Sequence, residues 1–154
     1  MTNKKVVWLE DVPSTLGDLV EYCRKKGYEI IIENSIAGFA QTLKDYKGNI
    51  ALIVLDIMIM GTYDLGDIGY KDIKTEGGYE TGFQILEHFL RVEGSPYKYI
   101  AVLILSIRPL KEEHKILIDN LRKHAPIEYV EKHVGDWQTV FKEKFDQLVK
   151  QNVQ

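Results

Sequence analysis

Ala51-Leu52-Ile53-Val54-Leu55-Asp56-Ile57-Met58 is an apolar run broken by a single carboxylate. Runs of this length, rich in branched residues, read as a strand covered on both faces, the usual state of a parallel sheet. An Asp at the C-terminal end of such a strand stands where open α/β sheets place their chemistry. Asp also starts loops for purely local reasons, so the rest of the chain has to decide between the two roles.

Upstream, Val6-Val7-Trp8-Leu9 is a shorter apolar run closed by Glu10-Asp11. Pro13 and Ser14 set up a helix start. Leu16, Leu19, Val20 and Cys23 give that helix one apolar face, and Gly27 reads as its stop. Tyr28 to Ile32 is a second strand. Ser35 can cap a second helix with Ile36, Phe39, Ala40 and Leu43 inward, which Gly48-Asn49 breaks.

Downstream, the texture changes from Gly61 to Gly78. Glycines, acids and tyrosines alternate without a period, which reads as a long loop of the kind that is functional or disordered in a compact domain. Phe83, Ile85, Leu86, Phe89 and Leu90 then mark a third helix, ended by Gly94 and Pro96. Tyr99 to Leu105 is a fourth strand ending in Ser106. Glu112 to His124 is a fourth helix with Ile116, Leu117 and Leu121 inward. Ile127 to Val130 is a fifth strand ending in Glu131-Lys132. Trp137, Val140, Phe141, Phe145, Leu148 and Val149 mark a last helix, and the tail from Gln151 to Gln154 is expected to fray. Strand and helix alternate five times, which predicts a parallel sheet with helices on both faces.

The 154 residues suit one domain, 1–154, with residues 61–80 as a loop inserted in it. A net charge of −3 offers no basic surface for nucleic acid. Cys23 is the only cysteine, which excludes an internal disulfide and suits a reducing cytosol. The segment before Val6 is too short for a secretory signal, and no apolar run approaches the ~18 residues of a membrane span. The expectation is a cytoplasmic protein without membrane contact.

In a parallel sheet all strand ends share one rim. Strand one delivers Glu10 and Asp11 there, strand three Asp56, strand four Ser106 and strand five Lys132. Clustered carboxylates repel and need a cation, and hard oxygen ligands with room for water suit Mg²⁺. A metal beside a carboxylate, with a hydroxyl and a lysine opposite, makes a phosphoryl-transfer site. Asp56 is the nucleophile in this reading, with Ser106 and Lys132 holding phosphoryl oxygens.

On these residues the chain resembles the receiver domain of bacterial two-component response regulators, over about residues 4–150. Trp8-Leu9-Glu10-Asp11-Val12-Pro13 matches the family's acidic pair and trailing proline, and Leu55-Asp56-Ile57-Met58 its phosphoacceptor motif. Ser106 matches the switch hydroxyl, Lys132 the invariant lysine and Tyr129 the switch aromatic. The resemblance implies a flavodoxin-like (CheY-like) doubly wound sheet of five parallel strands, order 2-1-3-4-5, with five helices. It implies Mg²⁺ held by Glu10, Asp11, Asp56 and the backbone carbonyl of Met58. It also implies a phosphoryl group taken from a sensor histidine kinase or phosphotransfer protein. Catalysis would be limited to self-phosphotransfer and autodephosphorylation. With no output domain following, the signal would pass to another protein through the surface of helix four, strand five and helix five. Homodimerisation is left open.

The chain departs from the family pattern at four points, and three of them, Ile107, His133 and the insertion, favour an alternative, a pseudo-receiver that binds partners without being phosphorylated. Met60 stands where the family has proline, and Ile107 where a small residue leaves the pocket open. The family's Asp-Gly is matched by Thr81-Gly82 after the insertion. His133 replaces a proline whose peptide bond is cis in the family. Cis costs about 2.5–4 kcal/mol before a non-proline, so either packing holds that strain or Lys132 is positioned differently. His88, His114, His124 and His133 lie in separate elements and read as surface or capping residues. Asp64, Asp67 and Asp72 lack EF-hand spacing, and no Gly-rich phosphate loop or G-x-S-x-G is present. Met58 at the second acidic position argues against a haloacid-dehalogenase phosphatase. Because the insertion begins close to Asp56, it is expected over or beside the phosphoryl pocket.

Overall fold

Side-chain alternation along the strands decides the layering. In β3 (Ile50–Leu55) every residue is buried, with Leu52 and Val54 on one face and Ile53 and Leu55 on the other. The structure, a computed structural model, describes residues 4–150. β3 is the centre of a five-stranded parallel sheet. β1 (Lys5–Leu9) lies on one side of it, flanked by β2 (Glu29–Glu33). On the other side lies β6 (Val102–Ser106), flanked by β7 (Ile127–Glu131). Among the strands of this sheet the order is the expected 2-1-3-4-5.

Val6, Trp8, Leu52, Val54 and Leu103 face α1 (Gly17–Lys25) and α5 (Trp137–Lys150), where Trp8 stacks on Phe141 at 5.4 Å. Val7, Leu9, Ile53, Leu55 and Ile104 face α2 (Ile36–Asp45), α3 (Thr81–Leu90, its second half wound wider) and α4 (Glu112–Leu121). Each fully buried Leu, Ile or Phe stabilises this sandwich by about 1.5–3 kcal/mol. The Ser35 hydroxyl accepts the Gly38 N–H at 3.1 Å, so the expected cap of α2 is present. Among the described residues no helix is long and apolar enough to cross a membrane.

Several sequence expectations are corrected. The segment 61–78 is not structureless: β4 (Asp64–Leu65) and β5 (Tyr70–Lys74) pair antiparallel around a 3-10 turn at Gly66–Ile68. Leu65 is fully buried, and Ile68 and Ile73 pack on the same core as α2 and α3. Strands this short carry no readable period, so the sequence conceals the hairpin. In α4 the inward residues are His114 and Ile118, with Leu117 and Leu121 half-buried, while Ile116 is 56% exposed. The polar His114 took the position that an apolar count assigns to its neighbours. Val140 is likewise exposed on α5. The fourth strand begins at Val102, because residues 97–101 form a turn pinned by the Arg91 guanidinium to the Tyr97 and Ile100 carbonyls. α3 ends at Leu90, before Gly94, and α4 at Leu121, before His124. Pro13–Thr15 is a 3-10 turn, and α1 starts only at Gly17. The tail from Gln151 lies outside the described residues.

Candidate functional site: the acidic rim

Three of the rim residues are each fastened by one backbone hydrogen bond beyond the end of their strand. The Glu10 N–H donates to the Glu33 carbonyl (3.0 Å), the Asp56 N–H to the Leu9 carbonyl (3.0 Å) and the Lys132 N–H to the Ser106 carbonyl (2.8 Å). The side chains that follow therefore emerge side by side. Carboxylate oxygens of Glu10, Asp11 and Asp56 all lie within 4.8 Å of one another. The Lys132 Nζ donates to both Glu10 oxygens, at 3.0 and 3.2 Å, and lies 3.8 Å from Asp56 Oδ2. Glu10, Asp56 and Lys132 are buried, and Asp11 is half-buried.

Three carboxylates face one ammonium, so the cluster carries excess negative charge. Burial, and then the shared hydrogen bond and repulsion with Glu10, push the Asp56 carboxyl well above the usual carboxylate range. Lys132 and the Met58 N–H, which donates to Asp56 Oδ1 at 3.2 Å, oppose that rise. The Asp11 carboxylate accepts the Met60 N–H at 3.3 Å.

These groups floor an open cavity of about 280 Å³, also lined by Val12, Met58, Met60, Ile107 and Trp137. Ile107 and Met60, two of the departures from the family pattern, are each 52% exposed there and give the mouth an apolar edge. His133 takes φ +66° and the described chain holds no cis peptide bond, so the turn after Lys132 is made by a left-handed residue. Lys132 still reaches the acids, and His133 lies edge-on to Trp137 at 5.7 Å. Ser106 is the exception among the expected residues. It is fully buried beside the cavity without lining it, and its Oγ accepts the Arg108 N–H at 3.3 Å.

The insertion does not cover the cavity. No residue from 61 to 80 lines it; the hairpin packs against α2 and α3. Its neck closes on itself: the Ile59 N–H donates to the Gly78 carbonyl at 3.0 Å, and the Thr75 hydroxyl to the Thr62 carbonyl. Gly78, at φ +100°, would drive a Cβ to 2.5 Å from the Ile59 carbonyl oxygen. Gly82 abuts the Asp56–Ile57 backbone so closely that a Cβ there would lie 2.6 Å from the Ile57 Cα. Only glycine lets α3 dock this near the end of β3.

A second polar cluster, absent from the sequence reading, joins α3 to α4. His114 is buried, stacked on Phe83 at 4.1 Å, and both its ring nitrogens are engaged. Nδ1 accepts the Lys111 N–H at 3.2 Å, capping α4 as a histidine was expected to do, and Nε2 lies 3.0 Å from Glu80 Oε1. With Nδ1 accepting, the network assigns the proton to Nε2, which donates to Glu80. Glu113 is also near, but Nε2 then presents no lone pair to an ion. Glu80 Oε2 receives the Arg108 guanidinium at 3.3 Å. Contacts 28 and 34 residues apart leave no spacing signal in the sequence. His88, His124 and His133 remain outside this cluster.

Tyr129 sits half-buried on edge strand β7, packed against the core, and burial pushes its phenol up to about 12. It borders a cleft of about 290 Å³ under α4, shared with Leu110 and Ile118.

No protein-family model matches the chain, and no curated protein matches its sequence. Its fold does have relatives. The chemotaxis protein CheY4 of Vibrio cholerae aligns with 96% of this chain and 99% of its own, at a TM-score of 0.65 and 14% identity. The BeF3-activated N-terminal receiver domain of Klebsiella pneumoniae RstA aligns with 95% and 98%, at 0.62 and 16%. The receiver domain of Francisella response regulator 1452 aligns with 97% and 99%, at 0.62 and 18%. The chain thus has the CheY-like receiver fold along nearly its whole length; at these identities the likeness is one of fold.

Proposed function

We propose that this chain is a phosphoacceptor receiver domain in which Asp56 accepts a phosphoryl group from the phosphohistidine of a sensor kinase or phosphotransfer protein. The observation that carries this reading is the convergence of Glu10, Asp11, Asp56 and Lys132 on the floor of one open cavity. In the transfer the histidine N–P bond breaks as an Asp56 Oδ–P bond forms, leaving a neutral imidazole and an acyl phosphate. Water later cleaves the phosphorus–oxygen bond, returning the carboxylate and inorganic phosphate.

Glu10, Asp11 and Asp56, with the Met58 backbone carbonyl, would hold Mg²⁺. The donor set fits, since it is all oxygen, carries excess negative charge and opens to water. When bound, the ion supplies positive charge against the phosphoryl oxygens. Lys132 would exchange Glu10 for a phosphoryl oxygen, and Ser106 would turn toward the pocket to donate a hydrogen bond. Tyr129 could then rotate into the cleft under α4, changing the surface of α4, β7 and α5 that a downstream protein reads. The reading carries a cytoplasmic setting with it.

Incubation with acetyl phosphate and Mg²⁺ tests it: intact mass should rise by one phosphoryl group in the wild type and stay unchanged in Asp56→Asn. A second reading, the pseudo-receiver, is favoured by Ser106 lying outside the cavity and Ile107 standing at its mouth. An unmodified wild type, with the fold intact, would select it.

A further inference from the structure

We infer that Glu80 is a positioning residue for the phosphoacceptor pocket: by gripping Arg108 it holds the segment 106–111 with the Ser106 hydroxyl bound to its own loop, and the grip must yield when the pocket fills. The inference rests on the phosphoacceptor reading.

Glu80 spends its two oxygens on two points of the stretch that follows β6. Oε2 takes the Arg108 guanidinium at 3.3 Å, and Oε1 takes His114 Nε2 at 3.0 Å. Arg108 is fixed further by its 2.8 Å bond to the Tyr79 carbonyl and by its position over the Tyr79 ring, 5.9 Å away. Beyond it, the Lys111 N–H is held by His114 Nδ1. The segment is thus tied at residues 108 and 111 to the start of α3, and little slack remains between them. Glu80 is itself anchored, its N–H donating to the Thr75 carbonyl at 2.9 Å in the neck of the insertion. At 16% side-chain exposure its contacts are charge-assisted and largely shielded from water.

The link to the pocket is short. Ser106 Oγ accepts the backbone N–H of Arg108, two residues on, and does not line the cavity. A phosphoryl group on Asp56 that draws the hydroxyl inward breaks this bond and pulls on the residue Glu80 holds. Coupling is reciprocal: weakening the grip tightens the pocket's hold on a phosphoryl mimic, and a filled pocket loosens Tyr79 and Glu80, carrying the signal to the hairpin of the insertion.

Beryllofluoride with Mg²⁺ serves as the probe, read through Trp137 fluorescence because that ring lines the cavity. Glu80→Gln keeps an acceptor for His114 but loses the charge on Arg108. It and Arg108→Gln should each tighten beryllofluoride binding about fivefold or more, and the double variant no further than the stronger single. In a Ser106→Ala background Glu80→Gln should change nothing. A merely structural Glu80 would instead lower the Tm and weaken binding. Wild-type binding with an unchanged or weakened Glu80→Gln, or equal tightening without the Ser106 hydroxyl, overturns the inference alone. If neither the wild type nor any variant binds, the phosphoacceptor reading falls and this inference with it.

Discussion

Two polar clusters flank the Asp56 loop, and they are built on opposite terms. At the rim, Glu10, Asp11 and Asp56 share one lysine, and burial pushes the Asp56 carboxyl up. At the α3–α4 face, one carboxylate, Glu80, is met by both Arg108 and His114. The first cluster is short of positive charge and opens to solvent through a cavity. The second is complete. On the proposed phosphoacceptor function, the rim would take up a cation and an anion in turn and has to be left electrostatically unfinished, at a cost in stability, whereas a clasp is worth most when every donor and acceptor is satisfied.

The sharpest break in this contrast is Asp56→Asn. It should abolish the added phosphoryl mass altogether and, with no metal present, stabilise the protein at neutral pH by about 1 kcal/mol or more, since one pKa unit is 1.36 kcal/mol. The sign follows from linkage. A carboxyl whose folded pKa is raised contributes stability below its unfolded value, near pH 4, and loses it as pH climbs through the folded value. Wild-type Tm without metal should therefore fall as pH rises through that window, and Asp56→Asn should flatten the curve. A wild-type Tm that rises across the window would mean the rim is not short of charge.

Lys132→Met tests the same shortage from the other side. It leaves Glu10 and Asp56 buried without their cation, and breaking such a pair costs about 3–5 kcal/mol. Denaturant unfolding should show most of that loss, and adding Asp56→Asn should restore part of it. Purely additive costs would show that Asp56 and Lys132 do not interact. Next in size, Asp11→Asn should weaken Mg²⁺ binding about tenfold, or 1.4 kcal/mol, measured by titration. Asp11 is the least buried of the three acids, so the variant should fold normally. Unchanged affinity would reduce Glu10-Asp11 to a loop start.

The two clusters also differ in how far the sequence discloses them. Glu10, Asp56 and Ser106 each terminate an apolar run, Lys132 follows a short mixed strand, and parallel strands bring their C-terminal ends to one edge, so pattern and topology alone assemble the rim. What that logic cannot supply is side-chain orientation. It brings Ser106 to the rim but does not show its hydroxyl held by Arg108. Glu80, Arg108 and His114 terminate nothing. They meet through a loop, a helix start and a buried face of α4, where an apolar count favours Ile116 over His114. The hairpin of the insertion is hidden for a similar reason: Leu65, Ile68 and Ile73 are too few and too irregularly spaced to show a period.

The smallest expected effect is at Ile107, which lies on the boundary between the two clusters. It follows Ser106, precedes Arg108 and stands half exposed at the cavity mouth where a small residue was expected. Because so much of its surface is already in water, Ile107→Ala should change stability by no more than about 0.5 kcal/mol. Its effect should be on access instead. Trimming the side chain widens the apolar edge through which a phosphodonor enters and water reaches the acyl phosphate, so phosphorylation by acetyl phosphate and the later loss of phosphate should both quicken several-fold. The rise and decay of the phosphorylated mass over time measures the two rates in one experiment. Quickened uptake with unchanged decay would mean that the donor, and not water, is limited at the mouth. If neither rate moves, Ile107 is no gate, and the pace of the chemistry is set deeper in the pocket, where the proposed mechanism has Lys132 exchange Glu10 for a phosphoryl oxygen.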